Sequence, residues 1–219
     1  MKVALVLSLP NTFLFETSLA IIQSQPLLLS LADAFFLTDS VSAAKPITRR
    51  GRFCFKVEEL NPDVKVTIYP HKLDATNASA LVKQYDIIAD GSDNFATRFA
   101  VNVACHSESK PLVSAAIRGF EGQLSVFKSC LGAPQPCYQC FAPEASEDAR
   151  GCNEVGVFGA LAGIMGSLQA LEIIKELLGV GESPSSNSMA GKLLLLDALT
   201  LEQRKISITR DPNCAACSK

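Results

Sequence analysis

Two Cys-x-x-Cys pairs, Cys137/Cys140 and Cys214/Cys217, constrain this chain more than any other feature of its 219 residues. A two-residue spacer lets both thiolates of a pair grip one edge of a tetrahedral ion, and two such pairs complete a shell with no open position. That is a structural zinc site, not a catalytic one. Residues 141–213 separate the pairs, too long a gap for a zinc ribbon. The metal would therefore staple the end of the chain to a mid-chain loop. The chain has eight cysteines. Its length argues against a disulfide framework, and paired thiols point to a reducing compartment, here the cytoplasm. A redox reading of the motif is disfavoured, because neither pair is expected to open a helix that follows a strand. Cys54, Cys105 and Cys130 read as ordinary thiols, and His71 and His106 have no partner signature.

Composition narrows the function classes. Hydrophobic residues make up 48% and charged residues 19%, a globular balance. A net charge of -2 offers no field for nucleic acid or an anionic membrane, and the absence of Trp argues against a base-stacking platform. Apolar runs such as Val3–Leu9 and Leu27–Phe36 are too short or too interrupted to span a bilayer, and Lys2 alone does not make a signal peptide. We expect neither nucleic acid nor membrane as a partner.

Residues 1–54 give no clear period of 2 or 3.6 and hold no glycine before Gly51. From about Val57 the signals agree with one another. Val64–Tyr69 alternates as a strand, and Asp74 to Asn77 offers caps for a helix over 78–84. Tyr85–Ala89 reads as a buried strand, followed by a helix from Phe95 to about Glu108. Strands at 111–116 and 123–127 come next, then a loop over 129–153 and a long helix over about 157–178 closed by Gly179 and Gly181. Strands at 192–197 and 205–209 finish the chain. Alternating strands and helices indicate a Rossmann-like, mostly parallel α/β sheet, with the last three strands as an antiparallel extension. Gly156, Gly159, Gly163 and Gly166 suggest close helix packing rather than a phosphate loop.

Two further groups carry chemistry. Asp90-Gly-Ser-Asp93-Asn94 directly follows a strand, and ligands of open α/β sheets bind at strand carboxyl ends. Carboxylates there can hold Mg²⁺ on nucleotide phosphates, although Asp-Gly and Asp-Asn are also common loop and cap residues. Cys152 precedes the long helix, where a thiol can have a lowered pKa and act as a nucleophile, though a lone loop cysteine more often does nothing of the kind.

From about Leu60 to Cys217 the chain resembles the ThiF/MoeB/HesA family, bacterial relatives of ubiquitin-activating enzymes. The blocks that carry the resemblance are Leu60-Asn-Pro-Asp-Val64, the segment Asp86 to Arg98 with its D-x-x-D-N-x-x-x-R pattern, and Lys110-Pro-Leu-Val113. They continue through Ala116 to Gln123, Pro136 to Cys140, Gly163 to Glu172 and Asp211 to Cys217. The resemblance implies an ATP-dependent adenylyltransferase that activates the C-terminal Gly-Gly carboxylate of a small ubiquitin-like sulfur carrier protein, of molybdopterin or thiamine type. It implies a homodimer with the long helix near the interface. By similarity Asp93 is the Mg²⁺-linked catalytic aspartate, Asn94 and Arg98 help to hold the nucleotide segment, and Cys152 matches a cysteine that some members link to the carrier.

The family's glycine-rich loop, acidic ribose pair, S-N-L-x-R-Q motif and G-x-P-K lysine have no counterpart here. Residues 1–55 are therefore expected as an atypical region in place of the glycine-loop half, and residues 56–219 as a ThiF/MoeB-like α/β domain with the zinc site. Two readings follow: the adenylyltransferase, and a zinc-stapled remnant that binds partners without ATP chemistry.

Overall fold

The computed structural model describes residues 2–11, 14–23, 62–63, 65–69, 71–143, 158–180 and 188–218. One eight-stranded sheet organises them, in the order β3-β2-β1-β4-β5-β6-β7-β8. The strands are β1 (Lys2–Asn11), β2 (Leu14–Gln23), β3 (Lys65–Tyr69), β4 (Ile87–Gly91), β5 (Leu112–Arg118), β6 (Glu121–Phe127), β7 (Lys192–Asp197) and β8 (Glu202–Ser207). Strands β1, β4 and β5 are mutually parallel, and β6, β7 and β8 continue the sheet in antiparallel register. Strand β2 lies antiparallel between β1 and β3. The chain forms the expected α/β fold with parallel strands and an antiparallel extension, but the sheet is mixed rather than mostly parallel, because the two residues between β1 and β2 are too few for a crossover to a parallel strand.

Strand β1 explains why the first residues show no period. Val3, Ala4, Leu5 and Val6 are all fully buried. Val3 and Leu5 join one core with Ile87 and Ala89, while Ala4 and Val6 join another with Ile88. A strand covered on both faces reads as a continuous apolar run, so alternation disappears. Each large aliphatic side chain sealed in this way contributes about 1.5–3 kcal/mol.

Helices cover both faces. On one side lie α1 (Ala78–Val82) and α2 (Phe95–Ser107), which bury Val82, Val101 and Ala104 against Ile88 and Leu112. On the other lies α4 (Gly159–Leu177), which buries Leu161, Met165, Gln169 and Ile173 at four-residue steps. The short α3 (Tyr138–Phe141) sits against α2. Of the four glycines expected to serve packing, Gly163 and Gly166 are buried in α4, Gly159 is exposed at its start, and Gly156 lies outside the described residues. A complementary glycine lies in the sheet. A Cβ at Gly122 would stand 2.6 Å from the Met165 sulfur, so β6 needs glycine there for α4 to approach. Gly179 ends the helix with a positive φ of 64°.

Element boundaries moved where side chains found other work. Asn77 does not cap α1 through its side chain. Its Oδ1 accepts from Asp74 N at 3.0 Å and its Nδ2 donates to Lys72 O at 2.8 Å, closing the preceding turn on itself. Strand β5 runs to Arg118 because the β5–β6 hairpin pairs Arg118 with Glu121. Among the described residues no helix is long and apolar enough to cross a membrane.

Candidate active site and metal centre

At the carboxyl end of β4 the backbone delivers Asp90, Ser92, Asp93 and Asn94 before α2 begins. Asp90 ends an apolar strand yet is 1% exposed, so its charge must be met locally. Its Oδ1 accepts from Ser92 N at 3.0 Å and Ser92 Oγ at 2.7 Å. Its Oδ2 faces Ser114 Oγ at 3.3 Å and Arg98 Nη1 at 3.5 Å. Arg98, 7% exposed, also donates to Ser114 Oγ at 3.1 Å, to Ala115 O at 3.1 Å and to Ser92 O. From the opposite face Gln169 Nε2 donates to Asp90 O at 3.0 Å and Val113 O at 2.9 Å, clamping β4 to β5. Asn94 caps α2 by accepting from Thr97 N at 2.9 Å, and its Nδ2 donates to Asp93 Oδ1 at 3.3 Å.

This network borders a cavity of about 610 Å³. At one pole stand Asp93, Asn94, Arg98 and Tyr138; at the other, Arg118 at the end of β5 with Asp197 and Arg204 on the antiparallel extension. Asp93 is half-buried there, open enough to meet a ligand and held in a loop whose neighbours are fixed. Such a pocket can take a phosphorylated ligand at its Asp93 pole and an extended chain along the sheet. Sequence reasoning singled out Asp93, Asn94 and Arg98, and the fold brings all three together. Sequence reasoning also singled out Asp90, with its loop, as a candidate Mg²⁺ carboxylate, but the structure buries it against Arg98. Ser114, Gln169 and Tyr138 were missed as parts of the site. Of these Gln169 had a signal, as a polar residue inside the 161-165-169-173 buried stripe. Cys152 lies outside the described residues.

The four cysteines converge further along α2, beside Asn102. Their sulfurs all lie within 4.8 Å of one another. Cys137 to Cys214 and Cys140 to Cys217 are 3.5 Å apart, and Cys140 to Cys137 is 3.8 Å. Tetrahedral zinc with Zn–S bonds of about 2.3 Å needs sulfur edges of about 3.8 Å. The donor set therefore fits zinc, as a closed Cys₄ shell. Polar donors already point at the sulfurs: Cys137 N approaches Cys140 Sγ at 3.4 Å, and Asn102 Nδ2 approaches Cys137 Sγ at 3.5 Å. Burial pushes the Cys137 thiol up to about 11 and raises Cys217 as well. Burial also presses on Cys214, but hydrogen bonds from the Ala216 and Cys217 backbone outweigh it and hold that thiol below its ordinary value. Arg210 fastens the terminal segment by donating to Gln135 O at 2.8 Å and to Cys217 O.

Cys137 is the N-cap of α3, but α3 follows a 3₁₀ turn over Ser129–Leu131 and not a strand, so the pair does not open a helix that follows a strand. Helix α3 is four residues long, and the pair faces a second pair rather than solvent, so the geometry is that of a metal grip. Cys105 is deep in the core, and burial drives its thiol well above the ordinary value, leaving it unreactive.

The ThiF family model matches residues 55–216. A sulfur carrier protein adenylyltransferase of Thermus thermophilus is 40% identical over 186 residues, covering 83% of this chain and 65% of that protein. A molybdopterin-synthase adenylyltransferase of Escherichia coli K12 is 38% identical over 160 residues, covering 73% of this chain and 61% of that protein. The chain thus spans just under two thirds of these relatives' lengths. The crystal structure of E. coli MccB superposes with a TM-score of 0.63 at 17% identity, over 83% of this chain and 54% of that one, a likeness of fold.

Proposed function

This chain belongs to the ThiF family, and from that premise we propose that it is an ATP-dependent adenylyltransferase acting on the C-terminal glycine carboxylate of a ubiquitin-like sulfur carrier protein. The observation that carries the reading is Asp93, set in the cavity at the carboxyl end of β4 beside the Asp90–Arg98 network. The carrier carboxylate attacks the α-phosphorus of Mg·ATP, the bond to the β-phosphate oxygen breaks, and acyl-adenylate and pyrophosphate form. Asp93 serves as the Mg²⁺-linked carboxylate, because charge on the phosphates must be neutralised as the leaving group departs. Asn94 and Arg98 hold that segment in place. Arg98 does so from within, since its guanidinium is engaged with Asp90, Ser114 and two carbonyls. The sheet-side pole takes the extended Gly-Gly tail, and the exposed Phe120, Leu199 and Leu201 beside it offer the carrier an apolar landing. The carrier is of molybdopterin or thiamine type, and Cys152 is its candidate covalent partner.

We also propose a cytoplasmic homodimer with α4 near its interface. Ile164 and Leu171 along that helix and Leu178 at its C-cap stand exposed at seven-residue spacing, a seam that suits a second copy. Residues 1–55 take the place of the family's glycine-loop half. The glycine-free stretch before Gly51 also favours a second reading, a zinc-stapled partner-binding remnant without ATP chemistry. Calorimetry with Mg·ATP separates the two. Micromolar binding supports the enzyme; no binding by folded, zinc-loaded protein supports the remnant.

A further inference from the structure

Helix α2 has a polar residue at each of two corners. Its start carries Asn94 and Arg98 at the cavity. Two turns on, about 12 Å along the axis from Asn94, Asn102 lies 2% exposed beside the cysteines. Asn102 is not a metal ligand. Its Oδ1 accepts from Tyr138 N at 2.8 Å, while its Nδ2 faces Cys137 Sγ at 3.5 Å and Gln139 Oε1 at 3.4 Å. One planar amide thus holds the α3 turn both by its backbone and by its sulfur. Few side chains of this size present an acceptor and a donor at once.

The next link is Tyr138. Its ring lines the cavity with the Arg98 guanidinium 5.8 Å from its centroid, and it packs on Phe99 at 6.1 Å and Phe127 at 5.8 Å. Arg98 then reaches the loop that carries Asp93, through Ser92 O and Asp90. We propose that Asn102 is a positioning residue that couples the four-cysteine metal grip to the Asp93 pole of the cavity, through Tyr138 and Arg98. The meaning of that pole rests on the adenylyltransferase reading; the coupling itself does not. Cys137 and Cys140 would hold the metal with Cys214 and Cys217, which would fix α3 and with it the Tyr138 ring against Arg98.

The test replaces Asn102 by Asp. N102D keeps the acceptor for Tyr138 N but loses the donor to Cys137 and adds negative charge beside four thiolates. Outer partners of metal ligands are worth about 10–100-fold in affinity, so zinc transfer to a chromophoric chelator should be at least about tenfold more favourable than in the parent. The chain has no Trp and three Tyr. A Tyr69→Phe, Tyr85→Phe background therefore leaves Tyr138 as the only emitter. In that background N102D should change the emission while zinc is still bound, and Mg·ATP should bind about tenfold more weakly. Val103→Ser, on the exposed side of α2, should move none of the three. Tyr138→Leu should weaken Mg·ATP binding yet retain zinc.

Unchanged zinc transfer and unchanged Tyr138 emission in N102D would overturn the proposal. If N102D does not fold, Asn102→Ser, which keeps a donor and an acceptor on a shorter arm, should show the same shifts in smaller measure, and its showing neither would overturn the proposal equally. If the parent protein binds no Mg·ATP, the adenylyltransferase reading fails alone, and the zinc and emission results still decide the coupling.

Discussion

The two ends of α2 serve two polar clusters with opposite designs. At the Cys₄ corner every ligand sulfur faces another, three of the four cysteines are buried, and no position is left for a reacting molecule. At the Asp90–Arg98 corner the buried charges are likewise satisfied by one another, but the next residue along, Asp93, is turned into a 610 Å³ cavity. The contrast separates structure from chemistry. A closed shell stabilises, whereas a cavity-lining carboxylate braced by a buried network can act on a ligand.

The comparison can be broken first at the metal. Cys214→Ser, or zinc removal under reducing conditions, should cost on the order of 5 kcal/mol or more, because metal binding is coupled to folding. Thermal unfolding with metal analysis should show a lower Tm and less than stoichiometric zinc. Recovery of the four sulfurs as two disulfides in freshly prepared protein would remove the metal grip from the account.

Next comes the braced network. Arg98→Met should destabilise by about 3–5 kcal/mol, since it leaves the Asp90 carboxylate buried without its cation. Adding Asp90→Asn should recover part of the loss. A double variant no better than the single would mean that Arg98 stabilises by packing alone. Denaturant titration reads both.

A smaller effect tests how the sheet supports the site. Gly122→Ala drives a methyl to within 2.6 Å of the Met165 sulfur. It should cost about 1–3 kcal/mol by overpacking, and Met165→Ala should suppress that cost.

The smallest expected effect is at His106, whose Nδ1 lies 3.0 Å from Ser129 Oγ. Burial, then the nearby Arg210 charge, holds its pKa below the ordinary 6.5, against the pull of a hydrogen bond with the Ser129 backbone. The unfolded chain then binds a proton more readily than the folded one, so stability rises with pH up to about 6.5 and falls on acidification below it. His106→Gln should flatten that part of the stability profile. An unchanged slope would show that carboxylates alone set it.

Much of this arrangement was legible in the residues. The two cysteine pairs, the Asp90-Gly-Ser-Asp93-Asn94 loop after a strand, and the long helix before Gly179 are local signals, and local signals survive into the fold. What stayed hidden depended on partners distant in sequence. Strand β1 shows no alternation because helices seal it from both sides. Asn102 is an unremarkable helix residue until α3 arrives 35 residues later with Cys137. Gln169 hides within an apolar stripe, and only β4 and β5 reveal what its amide holds.

The most direct test of the central claim is carrier-dependent ATP–pyrophosphate exchange, measured on zinc-loaded protein with a ubiquitin-like carrier ending in Gly-Gly. The account predicts exchange only when carrier and Mg²⁺ are both present, lost by about 10²–10³-fold in Asp93→Ala, an effect of the size seen when a group stabilising transition-state charge is removed, with zinc content and Tm unchanged. No exchange above background by folded, zinc-loaded protein, or undiminished exchange in Asp93→Ala, would contradict it.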